Sequence, residues 1–124
     1  MARTKRVYAD AAAATPLSHA ARAELVRLLG VCGNPGALHK EAVAAKAELE
    51  KARAIVARAI GAHPDEIIFT SGGTEANNLA LQGLLRPVLR ERGEAQAITT
   101  VVEHSSVIEP LHALESEGLY PTYL

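Results

Sequence analysis

Over residues 39–61 apolar side chains return every three or four positions. Val43, Leu49, Ala52, Val56, Ala59 and Ile60 fall near one side, and Lys46, Glu50, Lys51 and Arg58 lie largely away from it. That period predicts an amphipathic helix, with Gly61 as its C-terminal stop. A shorter helix is expected over residues 18–29, where Leu25, Leu28 and Leu29 make the apolar stripe and Gly30 ends it. Ahead of it, residues 7–9 read as a short strand that leads through an alanine run to a loop at Thr15-Pro16. Between the two helices, Cys32-Gly33-Asn34-Pro35-Gly36 can only be loop, since neither regular element tolerates that run of breakers.

Beyond the tight connection His63-Pro64-Asp65 the pattern changes. Ile67, Ile68 and Phe69 have the β-branched and aromatic character of a buried strand, and Ala76, Leu79, Ala80 and Leu84 then recur at helical spacing. Pro87 is expected to break or kink that helix, and residues 90–94 to form a charged turn. A second buried strand is predicted over 97–102, a helix over 106–117 and a third strand over 119–124. The order β-α-β-α-β, with helical connections, implies an α/β fold with parallel pairing and right-handed crossovers. We divide the chain into an N-terminal segment, 1–64, with two helices and the loop at Gly33, Asn34 and Pro35, and the start of an α/β domain, 65–124. Without a covering helix after the third strand, that domain is expected to be part of a larger protein.

Composition narrows the function. With 13 basic and 14 acidic side chains interspersed over 124 residues, no one-sign surface suits nucleic acid or anionic lipid. The basic cluster Arg3, Lys5 and Arg6 reads as a solvated terminus. Cys32 is the single cysteine, so no internal disulfide forms, and no apolar run is long enough to cross a bilayer. A cytoplasmic location is the expectation. One Phe, three Tyr and no Trp offer no aromatic platform for bases.

The candidate chemistry sits where strands end. Ser71-Gly72-Gly73-Thr74 lies between the first predicted strand and its helix, where two glycines let the backbone turn and a ligand come close. The unpaired N–H groups and positive dipole end of the new helix suit an anion, phosphate above all. Capping alone accounts for many such turns, and neither the nucleotide P-loop nor the three-glycine dinucleotide pattern is present. His104 follows the second predicted strand, at the end where open α/β sheets bind ligands. If those strands are neighbours, an imidazole and a phosphate cradle face one crevice. Glu103 reads as an acid or base or as a solvated loop residue, Asn77 and Asn78 as first-turn capping residues, and Cys32 as an ordinary loop residue. His19, His39, His63 and His112 have no comparable placement, and no spacing among the histidines suggests a metal site.

Taken together, Asp10 to Pro16, Gly33-Asn34-Pro35, Leu38-His39, residues 66–78, Ile98-Thr99, Glu103-His104 and Thr122-Tyr123-Leu124 resemble the N-terminal third of the cysteine desulfurases. These are pyridoxal 5′-phosphate (PLP) enzymes of the class V aminotransferase group, with the fold-type I architecture. The resemblance implies that Gly73 and Thr74 hold the cofactor phosphate and that His104 stacks on the pyridine ring, with a possible part in proton transfer. It also implies a homodimer, L-cysteine as substrate, L-alanine as product, and sulfur passed to an enzyme persulfide for iron–sulfur assembly or tRNA thiolation.

Departures from the family pattern are local. Ala11 and Ala14 stand where the family usually has Asn and Thr, and Gly36-Ala37 replaces two serines, so no substrate contact is carried onto those positions. Lys5, Lys40, Lys46 and Lys51 all precede the glycine turn, whereas the family's Schiff-base lysine follows it, and Cys32 is not at the place of the nucleophilic cysteine. The resemblance therefore implies an N-terminal fragment with half a cofactor site, inactive alone. A selenocysteine lyase or another class V enzyme shares these features, and a non-catalytic interaction module is the reading from a different class.

Overall fold

A computed structural model describes residues 7–124 of the chain. The basic cluster at Arg3, Lys5 and Arg6 lies outside the described residues. The fold divides into two compact units, one ending at Ile67 and one spanning Ile68–Leu124.

The first unit is helical. α1 spans His19–Leu28 and α2 spans Lys40–Ile60, each begun by a side-chain cap. Ser18 accepts from the Ala21 amide, and His39 Nδ1 accepts from the Ala42 amide at 3.3 Å. Gly61 closes α2 in the left-handed conformation at φ 71°, as its position after the last apolar residue predicts. Arg27 on α1 bonds Glu24 at 2.7 Å and Glu48 on α2 at 2.6 Å, so one guanidinium ties the two helices. Its hydrogen bonds hold both carboxyls below their usual range. In the loop between the helices, a side chain on Gly33 would meet the Glu41 carbonyl at 2.6 Å, so only glycine lets the chain pass there.

Two expectations fail in this unit. Residues 7–9 are not a strand; the Tyr8 hydroxyl instead donates to the Asp10 and Ala14 carbonyls, closing the following turn on itself. The covered side of α2 is also not the expected one: Ala42, Ala45 and Ala57 are buried, whereas Val43, Val56 and Ile60 are exposed. Alanines let the backbone come close, and spacing alone cannot rank them against larger residues on an adjoining face.

In the second unit, α3 (Gly73–Arg92), β1 (Ala95–Thr99), α4 (Ser105–Glu115) and β2 (Leu119–Tyr123) follow one another. β1 and β2 pair in parallel, Ala95 opposite Leu119 through Thr99 opposite Tyr123, and α4 is the crossover between them. Leu89, Leu111, Leu114 and Leu119 make the core, with Leu81, Leu85, Ala95, Ala97 and Val107 against it. The α3 face is therefore Leu81, Leu85 and Leu89, while the expected Leu79 and Leu84 are exposed.

The α/β class with parallel strands stands, but the expected β-α-β-α-β is β-α-β among the described residues. The run Ile67 to Phe69 is not a strand, and Ile68 and Phe69 are exposed. A guanidinium N–H of Arg53 donates to the Ile67 carbonyl, a group that a neighbouring strand would have to engage. β1 begins two residues before its predicted start, because the Ala95 amide already bonds the Gly118 carbonyl at 3.2 Å. Pro87 does not end α3, which continues to Arg92 and is capped by Gly93 at φ 78°. Proline forfeits one helical hydrogen bond, and the leucines on both sides of it hold the helix to the core.

Candidate functional site

The site begins with how each helix starts. α1, α2 and α4 each open on a side chain that accepts a first-turn amide: Ser18, His39 and His104. α3 opens on Gly72, with no side-chain cap. Its first closed helical bond runs from the Ala76 amide to the Gly72 carbonyl at 3.0 Å, so the amides of Gly73, Thr74 and Glu75 precede the helical ladder. A side chain built at Gly72 or Gly73 would meet nothing within 4 Å. Packing within the chain does not demand these glycines, and they leave open space beside three donors at the positive end of a 20-residue helix.

The turn before α3 is held by its own residues. Glu75 reaches back to accept from the Ser71 amide at 2.7 Å and hydroxyl at 2.6 Å. Those bonds, the hydroxyl first, keep the Glu75 carboxyl below the usual range. Asn78 donates to the Thr74 carbonyl at 2.9 Å and accepts from Gln82 at 2.9 Å, which braces the first turn from the next.

His104 stands at the N-terminus of α4, beyond the carboxyl end of β1, and Nδ1 accepts from the Ser106 amide at 3.1 Å. Glu103 is exposed and accepts only a long bond from the Thr100 hydroxyl, 3.4 Å. Thr74 lines one groove with Asn78 and Gln82 of α3 and with Ser105, Ser106 and Glu109 of α4. This groove joins the first turns of α3 and α4; His104 and the glycines of the turn are not among its lining residues, and the strand expected before α3 is absent among the described residues, so the crevice expected between two neighbouring strands is not what forms. Asn77 departs from its expected capping role: its amide donates to Ser106 Oγ at 2.9 Å and joins the helices.

Ser106 is a residue the sequence did not single out. It is the buried polar side chain among the described residues, 7% exposed, and its contacts join His104 to α3. As a serine in a first helical turn it carries no signal of its own; the informative partner lies 29 residues earlier. Of the remaining candidates, Cys32 is exposed in the first unit, and Lys40, Lys46 and Lys51 are exposed on α2. Among the described residues no group of three or more His, Cys, Asp or Glu could hold a metal ion, and no helix is long and apolar enough to cross a membrane.

Residues 7–120 match the family model described as aminotransferase class-V, which spans nearly all of the chain. This chain belongs to the class V aminotransferases. Within that family its relatives are cysteine desulfurases. It is 44% identical over 121 residues to "Cysteine desulfurase IscS" of Dictyoglomus turgidum, covering 97% of this chain and 30% of that protein. It is 43% identical over 120 residues to the human "Cysteine desulfurase", covering 95% of this chain and 26% of that protein. The chain thus spans about a third or less of the length of these relatives. Among solved structures, one of "SspA in complex with cysteine" matches with a TM-score of 0.80 at 38% identity, over 93% of this chain and 33% of that one. DndA from Streptomyces lividans matches with a TM-score of 0.75 at 39% identity, over 95% and 33%. The fold of this class V chain is accordingly the N-terminal part of theirs.

Proposed function

We propose that these residues form the phosphate-binding portion of a PLP-dependent cysteine desulfurase, in which Gly73 and Thr74 hold the cofactor phosphate and His104 lies over its ring. The observation that carries the reading is the uncapped start of α3. Where α1, α2 and α4 each spend a side chain on a first-turn amide, this helix leaves three donors beside open space. A phosphate dianion satisfies several such donors at once and gains from the helix dipole. The Thr74 hydroxyl, at the same helix start, adds a further donor.

The chain's own part in the chemistry is binding and orientation. The α3 amides and Thr74 fix the phosphate end, the Ser71–Glu75 bonds keep the glycine turn in place, and His104 limits motion of the ring. When bound, the cofactor supplies the electron sink for bond cleavage in an amino-acid substrate. L-cysteine is the substrate we assign, which the names of the relatives support, and so does the cysteine in the SspA complex. The working assembly is a cytoplasmic homodimer in which residues 65–124 open the cofactor-binding domain. The covalent lysine and the sulfur-accepting cysteine come from sequence outside these 124 residues, since no lysine or cysteine follows Thr74 here.

Pyridoxamine 5′-phosphate, whose amine cannot condense with lysine, tests the cradle by fluorescence titration. Thr74→Val is expected to weaken binding about tenfold or more, the cost of one hydrogen bond to a charged group. Equal affinity in the variant would remove the phosphate from this helix start. Incubation of the chain with PLP and borohydride is expected to give no single stoichiometric adduct and no sulfide release from L-cysteine; a specific adduct with sulfide release would overturn the assignment of the lysine.

A further inference from the structure

The three residues Asn77, Ser106 and His104 form a directed chain of hydrogen bonds that ends on one nitrogen of the imidazole. The Asn77 amide donates to Ser106 Oγ at 2.9 Å. Ser106 Oγ lies 2.9 Å from His104 Nδ1, and the Ser106 backbone amide lies 3.1 Å from the same atom. A backbone N–H can only donate, so Nδ1 of His104 must be the acceptor. Because Ser106 Oγ accepts from Asn77, its hydroxyl hydrogen is free to point at the same lone pair. If the Asn77 amide were turned over, its oxygen would take the serine hydrogen, and the backbone N–H would still require Nδ1 to accept. The tautomer therefore does not depend on that assignment.

We propose that Ser106, held by Asn77, is the positioning residue for His104 and fixes it as the Nε2–H tautomer, so that the neutral imidazole offers a ligand a hydrogen-bond donor. Ser106 is 7% exposed and Asn77 part-buried, so water does not compete freely for their bonds, whereas His104 itself is exposed. With Nδ1 occupied, Nε2 is the ring nitrogen left to meet a ligand, and in the neutral ring it carries the proton. His104 can then give a hydrogen bond to an acceptor atom such as a phenolate or carboxylate oxygen, and the neutral ring cannot take a proton at that atom. The anchoring also ties the ring's orientation to the packing of α4 on α3, so that His104 and Thr74 keep their relative placement within the second unit.

The inference rests on the reading of His104 as a ligand-facing residue, and its test is separable from that reading. In the chain labelled with 15N-histidine, long-range proton–nitrogen correlation spectra at about pH 8, where an ordinary imidazole is neutral, assign the tautomer without cofactor. The Nε2–H form alone is expected for His104, and a dominant Nδ1–H form or an even mixture overturns the proposal. Ser106→Ala keeps the backbone amide but removes the hydroxyl, and should raise the share of the other tautomer about two- to tenfold, the ratio that loss of one ordinary hydrogen bond corresponds to. Ser106→Thr should restore the wild-type spectrum. Asn77→Ala, at a part-buried position, should move the tautomers in the same direction by less, and unchanged spectra in both alanine variants overturn the positioning role. Titration of pyridoxamine 5′-phosphate into the same samples separates the two readings. Absence of binding alongside the Nε2–H spectrum counts against the cofactor, and binding alongside a mixed spectrum counts against Ser106.

Discussion

Gly73 and Gly118 occupy opposite situations. A methyl group on Gly73 would meet nothing within 4 Å, and its backbone lies outside the positive-φ region, whereas Gly118 sits at φ 102° with the Gly93 carbonyl where a side chain would begin. Gly73→Ala is therefore expected to leave stability unchanged or raise it by up to about 1 kcal/mol while weakening phosphate-ester binding. Gly118→Ala should lower stability by about 1–3 kcal/mol through strain and leave the cradle chemistry intact. Urea unfolding and ligand titration on the same two variants separate these outcomes. Glu75 yields a pH prediction. Its bonds to Ser71 depress the folded carboxyl, so its contribution is complete above the ordinary carboxyl range and is lost as pH falls through the lowered folded value. Acid that carries the pH below the ordinary carboxyl range and through the lowered folded value should release the Ser71 amide, seen as a shift of its proton resonance, and Glu75→Gln should abolish that acid dependence. At this scale Gly73, Thr74 and His104 could be singled out as candidates from the sequence, because each stands where an element changes. Asn77 and Ser106 were not legible as a pair, since a hydrogen bond across 29 residues leaves no local pattern.

Helix ends were the most legible elements and sheet edges the least. Ser18, His39, Gly61 and Gly93 all sit at helix ends, although Gly93 fell inside what the sequence suggested was a charged turn. Caps act within one turn, so the residues that decide them are neighbours in the chain. The run Ile67 to Phe69 has strand composition but no strand, because pairing belongs to two segments and composition to one. The same limit explains the faces of α2 and α3: period marks which residues share a side, and only the packing partner selects the side that is covered. Pro87 was read as a breaker on local grounds, yet α3 passes through it to Arg92. Its lost hydrogen bond is still a cost, and Pro87 is exposed. Pro87→Ala is thus expected to stabilise the second unit by about 1–3 kcal/mol, measured as a higher urea midpoint with an unchanged slope.

For the whole molecule, membership of the class V aminotransferases and a span of about a third of its relatives stand together. Large apolar side chains are exposed in both units, among them Leu38 at 95% and Val102 at 85%. The core of the second unit is small, four buried leucines with a fringe of partly buried neighbours. In so small a unit, ligand binding and folding share one free-energy balance. A phosphate ester that completed the first turn of α3, as proposed, would bind the folded chain alone, and at a hundred times its dissociation constant it would add about 2.7 kcal/mol to stability. The amides of Gly73, Thr74 and Glu75 should then exchange with solvent more slowly, and the melting temperature should rise with ligand concentration. Under the proposed function, the glycine that opens α3 without a cap would thus tie the persistence of the folded protein in a cell to the supply of a vitamin.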